Sequence, residues 1–244
     1  MLSLLQISDF AMFENTYSNL AVLFKEDGGE FESIVVWLSL CRESVEVQNK
    51  IIETSYDSKL IKENLHELKE IAENGDGNSS LENARKWLNK YGIYLVIHDA
   101  LRNSKIRGAV TRYKNNPAIY LSLRFKTHDH AWFALMHEIG HLLIDYNGKD
   151  PFLTCVDDEA TREENEEEAD KFAQNFFINS ADYNRYIKDG QISIDSVLRF
   201  AFSQKVHPGI VVARLQHDRI ISFSKFNTLK SRFTDLKEFQ KVFI

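Results

Sequence analysis

Residues 133–146 read FALMHEIGHLLIDY, an apolar run interrupted by His137, Glu138 and His141 within a turn and a half of helix. A segment this apolar is buried by its neighbours, and a buried imidazole or carboxylate left without a partner is destabilising. Four residues make one helical turn, so His137 and His141 leave the same face and can bind a single ion. Glu138 lies about 100° round the helix, close enough to hold a water without being forced to ligate. The pattern H-E-x-x-H therefore predicts a buried helix whose polar stripe is satisfied by a cation. Thr127 or Asp129 is placed to cap that helix, and Asn147-Gly148 to end it.

A catalytic zinc needs a third protein ligand and an open position. Cys41 and Cys155 lie far apart and in no recurring ligand spacing, so they supply neither a zinc knuckle nor a disulfide framework. The acidic run DDEATREENEEEADKFAQNFFI, 157–178, offers more. Glu166 precedes Ala169 by three residues and Ala173 by seven, which puts a carboxylate on the inward stripe of a predicted helix. Glu168, four residues before Phe172, is the competitor. Glu163, Glu164 and Glu167 fit a solvated outer face.

Around this centre the chain is predicted to be α+β. Residues 1 to about 72 repeat apolar positions at helical spacing, as in Phe31, Ile34, Val35, Leu38 and Ile61, Leu65, Leu68, Ile71. NGDGNSS at 74–80 marks a domain boundary, giving a helical N-terminal domain over 1–78 and a second domain over 79–244. Ser79 and Glu82 stand in capping-box spacing, and Gly92 falls where that helix should end. Three short β-rich runs follow, IYLVIH (93–98), IRGAVT (106–111) and AIYLSL (118–123), as a small sheet against the motif helix. The alternation in AIYLSL predicts one buried and one polar face, and an edge strand that accepts an extended substrate by strand addition. Helical patterns at 194–204 and 208–217 follow, with Pro208 suited to a first helical position.

The 244 residues carry 30 Lys and Arg against 36 Asp and Glu, a formal charge of −6 that argues against broad attraction to nucleic acid or anionic lipid. No apolar stretch approaches the ~18 residues of a membrane span. The first twenty residues, broken by Asp9, Glu14 and Asn15, lack the basic start and cleavage site of a secretory signal. A cytoplasmic protein is expected. SVLRFAFSQKVHPGIVVARLQHDR has the lengths of a helix-turn-helix, but two packed core helices look the same, and only Lys205, Arg214 and Arg219 add charge, so direct DNA binding is not expected.

WFALMHEIGHLL followed by EEEADKFAQNFFI resembles the ImmA/IrrE metallopeptidases, whose pattern is H-E-x-x-H and then E-x-x-A-[ND]-x-F-A on a following helix. IRGAV, IYLSLRFKTHDHAWF and FAFSQKVHPGIVVARLQHD are similar to members in which this domain follows an Xre-type helix-turn-helix, a module expected to be missing here. The resemblance implies a minimal zincin-like fold over 79–244, zinc held by His137, His141 and Glu166, and Glu138 as the catalytic carboxylate. FFINSADY stands where the family carries a Leu-Met-Pro-like tail. It further implies an endopeptidase that cleaves a protein regulator of helix-turn-helix type, a repressor or antitoxin, in a phage, mobile-element, stress or toxin–antitoxin circuit. The alternative is a regulatory or toxin-like binding module that keeps its zinc without proteolysis. His128, His130, His207, Arg214, His217 and several tyrosines are all conceivable oxyanion helpers, and the sequence does not choose among them.

Overall fold

A computed structural model describes residues 30–75, 77–144, 146, 152–155 and 164–233. Helices α1 (Phe31–Glu43), α2 (Val45–Gln48), α3 (Ser58–Glu73) and α4 (Gly77–Lys90) lead into strands β1 (Tyr94–His98), β2 (Ile106–Tyr113) and β3 (Asn116–Ser122). The motif helix α5 (His128–Ile144) follows, then β4 (Phe152–Cys155), α6 (Glu164–Phe177), α7 (Ser180–Lys188), α8 (Ile194–Gln204) and α9 (Pro208–His217). The fold class is α+β, as expected. Asn147-Gly148, Glu163 and residues 1–29 lie outside the described residues.

The sheet has the order β1-β3-β2-β4. Lys114, with φ 54°, takes the left-handed conformation in the tight turn that joins β2 to β3 as an antiparallel hairpin. On its other side β3 pairs with β1 in parallel. AIYLSL is therefore an interior strand, and the expectation of a substrate-accepting edge there is corrected. So is its expected polar face, since every position of β3 is buried. Ile119 and Leu121 face α5 and α4 among Trp132, Leu135, Ile139, Leu81 and Leu88. Ala118 and Tyr120 face the opposite way, where α1 and α2 cover them with Ile34, Trp37, Cys41 and Val45. The sheet is thus sandwiched between two helical layers.

The short link from Glu73, the end of α3, to Gly77, the start of α4, falls where the sequence suggests a domain boundary. Leu68 and Ala72 on one side and Leu81, Ala84 and Leu88 on the other enter the same buried cluster as the sheet and α5. The helix after this link begins at Gly77, two residues before the expected cap, so Ser79 and Glu82 lie inside it. Its end is as expected. Gly92 (φ 80°) closes α4 with Ile93 N donating to Leu88 O at 2.9 Å and Gly92 N to Asn89 O at 3.2 Å. A Cβ there would lie 2.7 Å from Tyr56 N, so the position is closed to other residues by packing as well as by φ.

The outer side of β1 is not left bare. The Gln48 side chain accepts from Ile97 N and donates to Ile97 O, both at 2.9 Å, and Asn49 Oδ1 accepts from Leu95 N at 3.1 Å. Two amide side chains from the end of α2 thereby satisfy backbone groups that a further strand would otherwise take. On the far side of the sheet, β2 carries a bulge where it meets β4: Ile106 lies opposite Cys155 and Gly108 opposite Thr154, leaving Arg107 as the extra residue.

Trp37 ties α1 to this framework. It is fully buried, meets Tyr120 edge-on at 6.5 Å and donates its indole N–H to Asp99 O at 3.0 Å. Trp37→Ala is expected to destabilise the protein by about 3–5 kcal/mol. The loss should appear in a single denaturant transition followed by both tryptophan fluorescence and far-ultraviolet circular dichroism. An early transition confined to α1, with the rest unchanged, would contradict the shared core.

Candidate metal centre

Two helices build the site. In α5 the apolar faces bury the motif so completely that His137 is 3 % exposed, His141 2 % and Glu138 0 %. α6 packs alongside at very short range, made possible by Gly140 within the motif. A Cβ on Gly140 would sit 3.1 Å from Ala169 Cα and 3.2 Å from the Phe172 ring. Glu166, one turn before Ala169 on the same face, is thereby brought over the two imidazoles.

The resulting geometry is compact. Glu166 Oε2 lies 3.2 Å from His137 Nε2, and Oε1 lies 3.2 Å from His141 Nε2. The two Nε2 atoms are 3.0 Å apart. One ligand atom from each of the three residues falls within 4.8 Å of the others. Behind His137, Asp170 Oδ1 accepts from Nδ1 at 2.8 Å, which fixes the tautomer and leaves the Nε2 lone pair aimed at the centre. Two imidazoles and one carboxylate, held from behind by a second carboxylate, form a donor set suited to zinc. Glu166 therefore occupies the position expected of the third group, while Glu168, Glu164 and Glu167 are exposed. Asp170 went unassigned in the sequence, although it stands one turn beyond Glu166, the spacing that puts both carboxylates on one helix face.

Charge within the cluster is strongly coupled. Burial opposes a charge on His137, but Asp170, Glu166 and the negative Glu138 outweigh it and raise the metal-free ring to about 10. His141 is raised in the same sense, with burial opposed by Glu166 and Glu138. Burial pushes the Glu166 carboxyl up, yet its hydrogen bonds to the two imidazoles prevail and hold it well below the usual carboxylate range. Without a metal, the imidazoles hold protons, balanced by the ionised Glu166, that a cation must displace.

Glu138 lies outside this triad, with its carboxyl against β2. Gly108 makes room for it: a Cβ at 108 would lie 2.5 Å from Glu138 Oε1 and 2.8 Å from Cδ. The bare backbone there thus sets where the carboxylate can stand. Among the candidate helpers, His128 and His207 face each other 5.0 Å apart at the N-terminal end of α5, and burial together with His207 pushes His128 down to about 4. Arg214 is engaged by Asp218 at 2.6 Å over the Tyr183 ring, and His217 pairs with Asp218 at 3.0 Å. His130 stacks on Phe125 at 4.5 Å and meets Asp129 at 3.1 Å. α9 is buried along Ile210, Val211, Val212 and Leu215, packed against α5 and α8.

This fold and site are those of a metallopeptidase. Residues 88–216 match the Peptidase_M78 family model, the IrrE N-terminal-like domain, and the chain belongs to that family. Comparison with curated proteins finds no significant match. No helix of the described residues is long and apolar enough to cross a membrane.

A protonated imidazole cannot ligate, so raising the pKa of the metal-free rings lets protons compete with zinc at higher pH than usual. Zinc affinity, measured against a competing chelator, is expected to keep rising between about pH 7 and pH 9, where an ordinary imidazole has finished titrating. A plateau from pH 7 upward would contradict this. Asp170→Asn should weaken binding about 10–100-fold at neutral pH.

Proposed function

We propose that the protein is a zinc-dependent endopeptidase acting in the cytoplasm on a specific protein regulator. The observation that carries this reading is the convergence of His137, His141 and Glu166 within ligand distance of one another, beside a buried carboxylate, Glu138, that is not part of the triad. In such a site bound zinc supplies an electrophile that polarises the scissile carbonyl and makes water a better nucleophile at neutral pH.

The protein's own residues do the remainder. Glu166 spans both imidazoles, and Asp170 prevents the His137 ring from turning. Glu138, held in place against Gly108, takes the proton from the attacking water and passes it to the departing amine nitrogen. The carbonyl carbon gains a bond to the water oxygen as the C–N bond breaks, and no covalent link to the protein forms. Apolar packing of α5 and α6 shields the rear of the site from bulk water.

For the substrate, the likeness to ImmA/IrrE sequences favours a helix-turn-helix repressor or antitoxin made as a separate chain. Burial of α9 on α5 favours reading the α8–α9 pair as core, so DNA is reached through the regulator and not by this protein directly.

The discriminating experiment co-incubates the zinc-loaded wild type and Glu138→Gln with the regulator encoded next to the gene. Wild type should produce discrete fragments. Glu138→Gln should keep its zinc stoichiometry and melting temperature while losing about 10²–10⁴-fold in cleavage rate. Equal cleavage by both would remove Glu138 from the mechanism. Tight binding of the regulator by both, without cleavage by either, would identify a zinc-bearing binding module.

A further inference from the structure

The outer face of α8 carries an apolar seam that the fold does not cover. Ile194, Leu198 and Phe202 follow one another at intervals of four residues, so they leave the helix within about 80° of one another. They are 43, 41 and 84 % exposed. Single exposed apolar side chains are ordinary on a protein surface, but three in line on one helix form a patch on the order of 300 Å², a size that marks interaction surfaces.

The helix beneath the seam is held firmly. Its inner side is anchored by Val197, Phe200 and Ala201, with the Phe200 ring stacked on Tyr186 at 4.3 Å. Ser193 and Ser196 close a reciprocal capping box at its start, and Lys205 (φ 53°) ends it with Val206 N donating to Ala201 O at 3.1 Å. Gln204 ties it to α7, accepting from Asn179 N at 2.9 Å and donating to Asp182 Oδ2 at 3.1 Å. A partner therefore meets three side chains already set in line, and binding has little order left to impose.

The charges beside the seam select the partner. Asp195 and Arg199 are exposed and lie on one flank of it, about 60° and 100° round the helix from Leu198. They stand four residues apart, yet neither enters an ion pair among the described residues. A second copy laid antiparallel across the first, about a twofold axis near Val197, brings Asp195 of each copy level with Arg199 of the other. The same axis staggers the apolar side chains. Phe202, Ile194 and Leu198 of the two copies then alternate along the seam in steps of about 3 Å, so that each fills a gap in the facing row. A parallel arrangement turns the two charged flanks to opposite sides of the seam, where neither charge is met.

We propose that α8 is a self-association surface on which a second copy of this chain docks antiparallel, with Ile194, Leu198 and Phe202 as the seam and two Asp195–Arg199 pairs as the orienting contacts. The patch is smaller than the roughly 800 Å² per partner of a stable interface, so the dimer is weak, with a dissociation constant on the order of 10–100 µM. The inference does not depend on the zinc chemistry.

The test is sedimentation equilibrium of the zinc-loaded full chain from about 1 to 500 µM, over which the mass should rise from one chain toward two. Phe202→Gln, at the most exposed position, should weaken association about fivefold or more with an unchanged melting temperature, and Leu198→Glu about tenfold or more. Arg199→Asp should weaken it about fivefold or more, and adding Asp195→Arg should restore it by exchanging the charges across the axis. A mass of one chain at every concentration overturns the proposal, as does a dimer that Phe202→Gln and Leu198→Glu both leave intact. Association that the seam variants abolish but the charge exchange does not rescue overturns the antiparallel arrangement. A monomeric wild type whose cleavage of the regulator is lost in Phe202→Gln would give the seam to the substrate instead.

Discussion

The close approach of α5 and α6 at Gly140 and Ala169 is the contact on which the site depends. A carboxylate side chain is short, and Glu166 spans both imidazoles only because two helical backbones come together with no side chain at 140 between them. The same approach delivers Asp170 to the back of His137, so one helix pair fixes both the ligand triad and its orientation. The surrounding apolar packing makes the arrangement rigid. In a buried, low-dielectric setting, paired charges are held in place because leaving any one of them alone is so unfavourable.

Two glutamates of identical chemistry acquire different tasks from their surroundings. Glu166 lies between two nitrogen donors and remains ionised through hydrogen bonds to them. Glu138, twenty-eight positions earlier in the numbering, stands against bare backbone at Gly108 on the sheet side of α5. The division follows from position alone: one carboxylate faces a helix and the other a strand.

Much of this was legible in the sequence because it is local. The H-E-x-x-H spacing on an apolar helix placed His137 and His141, and the inward stripe of Ala169 and Ala173 separated Glu166 from its exposed neighbours. Gly92 and Pro208 marked the end and start of helices through backbone rules that need no tertiary information. What escaped was long-range. AIYLSL alternates as an edge strand would, but its Tyr120 face is covered by α1, some eighty residues away along the chain. The bulge at Arg107 depends on pairing with β4 beyond α5, and Gly108 is its only local sign in IRGAVT. Asp170 holds the [ND] position of E-x-x-A-[ND]-x-F-A but lies in an acidic run where solvation is the ordinary expectation, and its task becomes visible only through its hydrogen bond to His137 across the helix interface.

Gln48 and Asn49 have a consequence for how the molecule behaves in a crowded solution. A strand with exposed amides is a template on which another chain can nucleate a growing cross-strand assembly. The two side-chain amides occupy that template on β1 with the same donor and acceptor groups that an intruding strand would bring. By ending α2 at this point, the fold shields its parallel strand from self-association without adding another strand of its own.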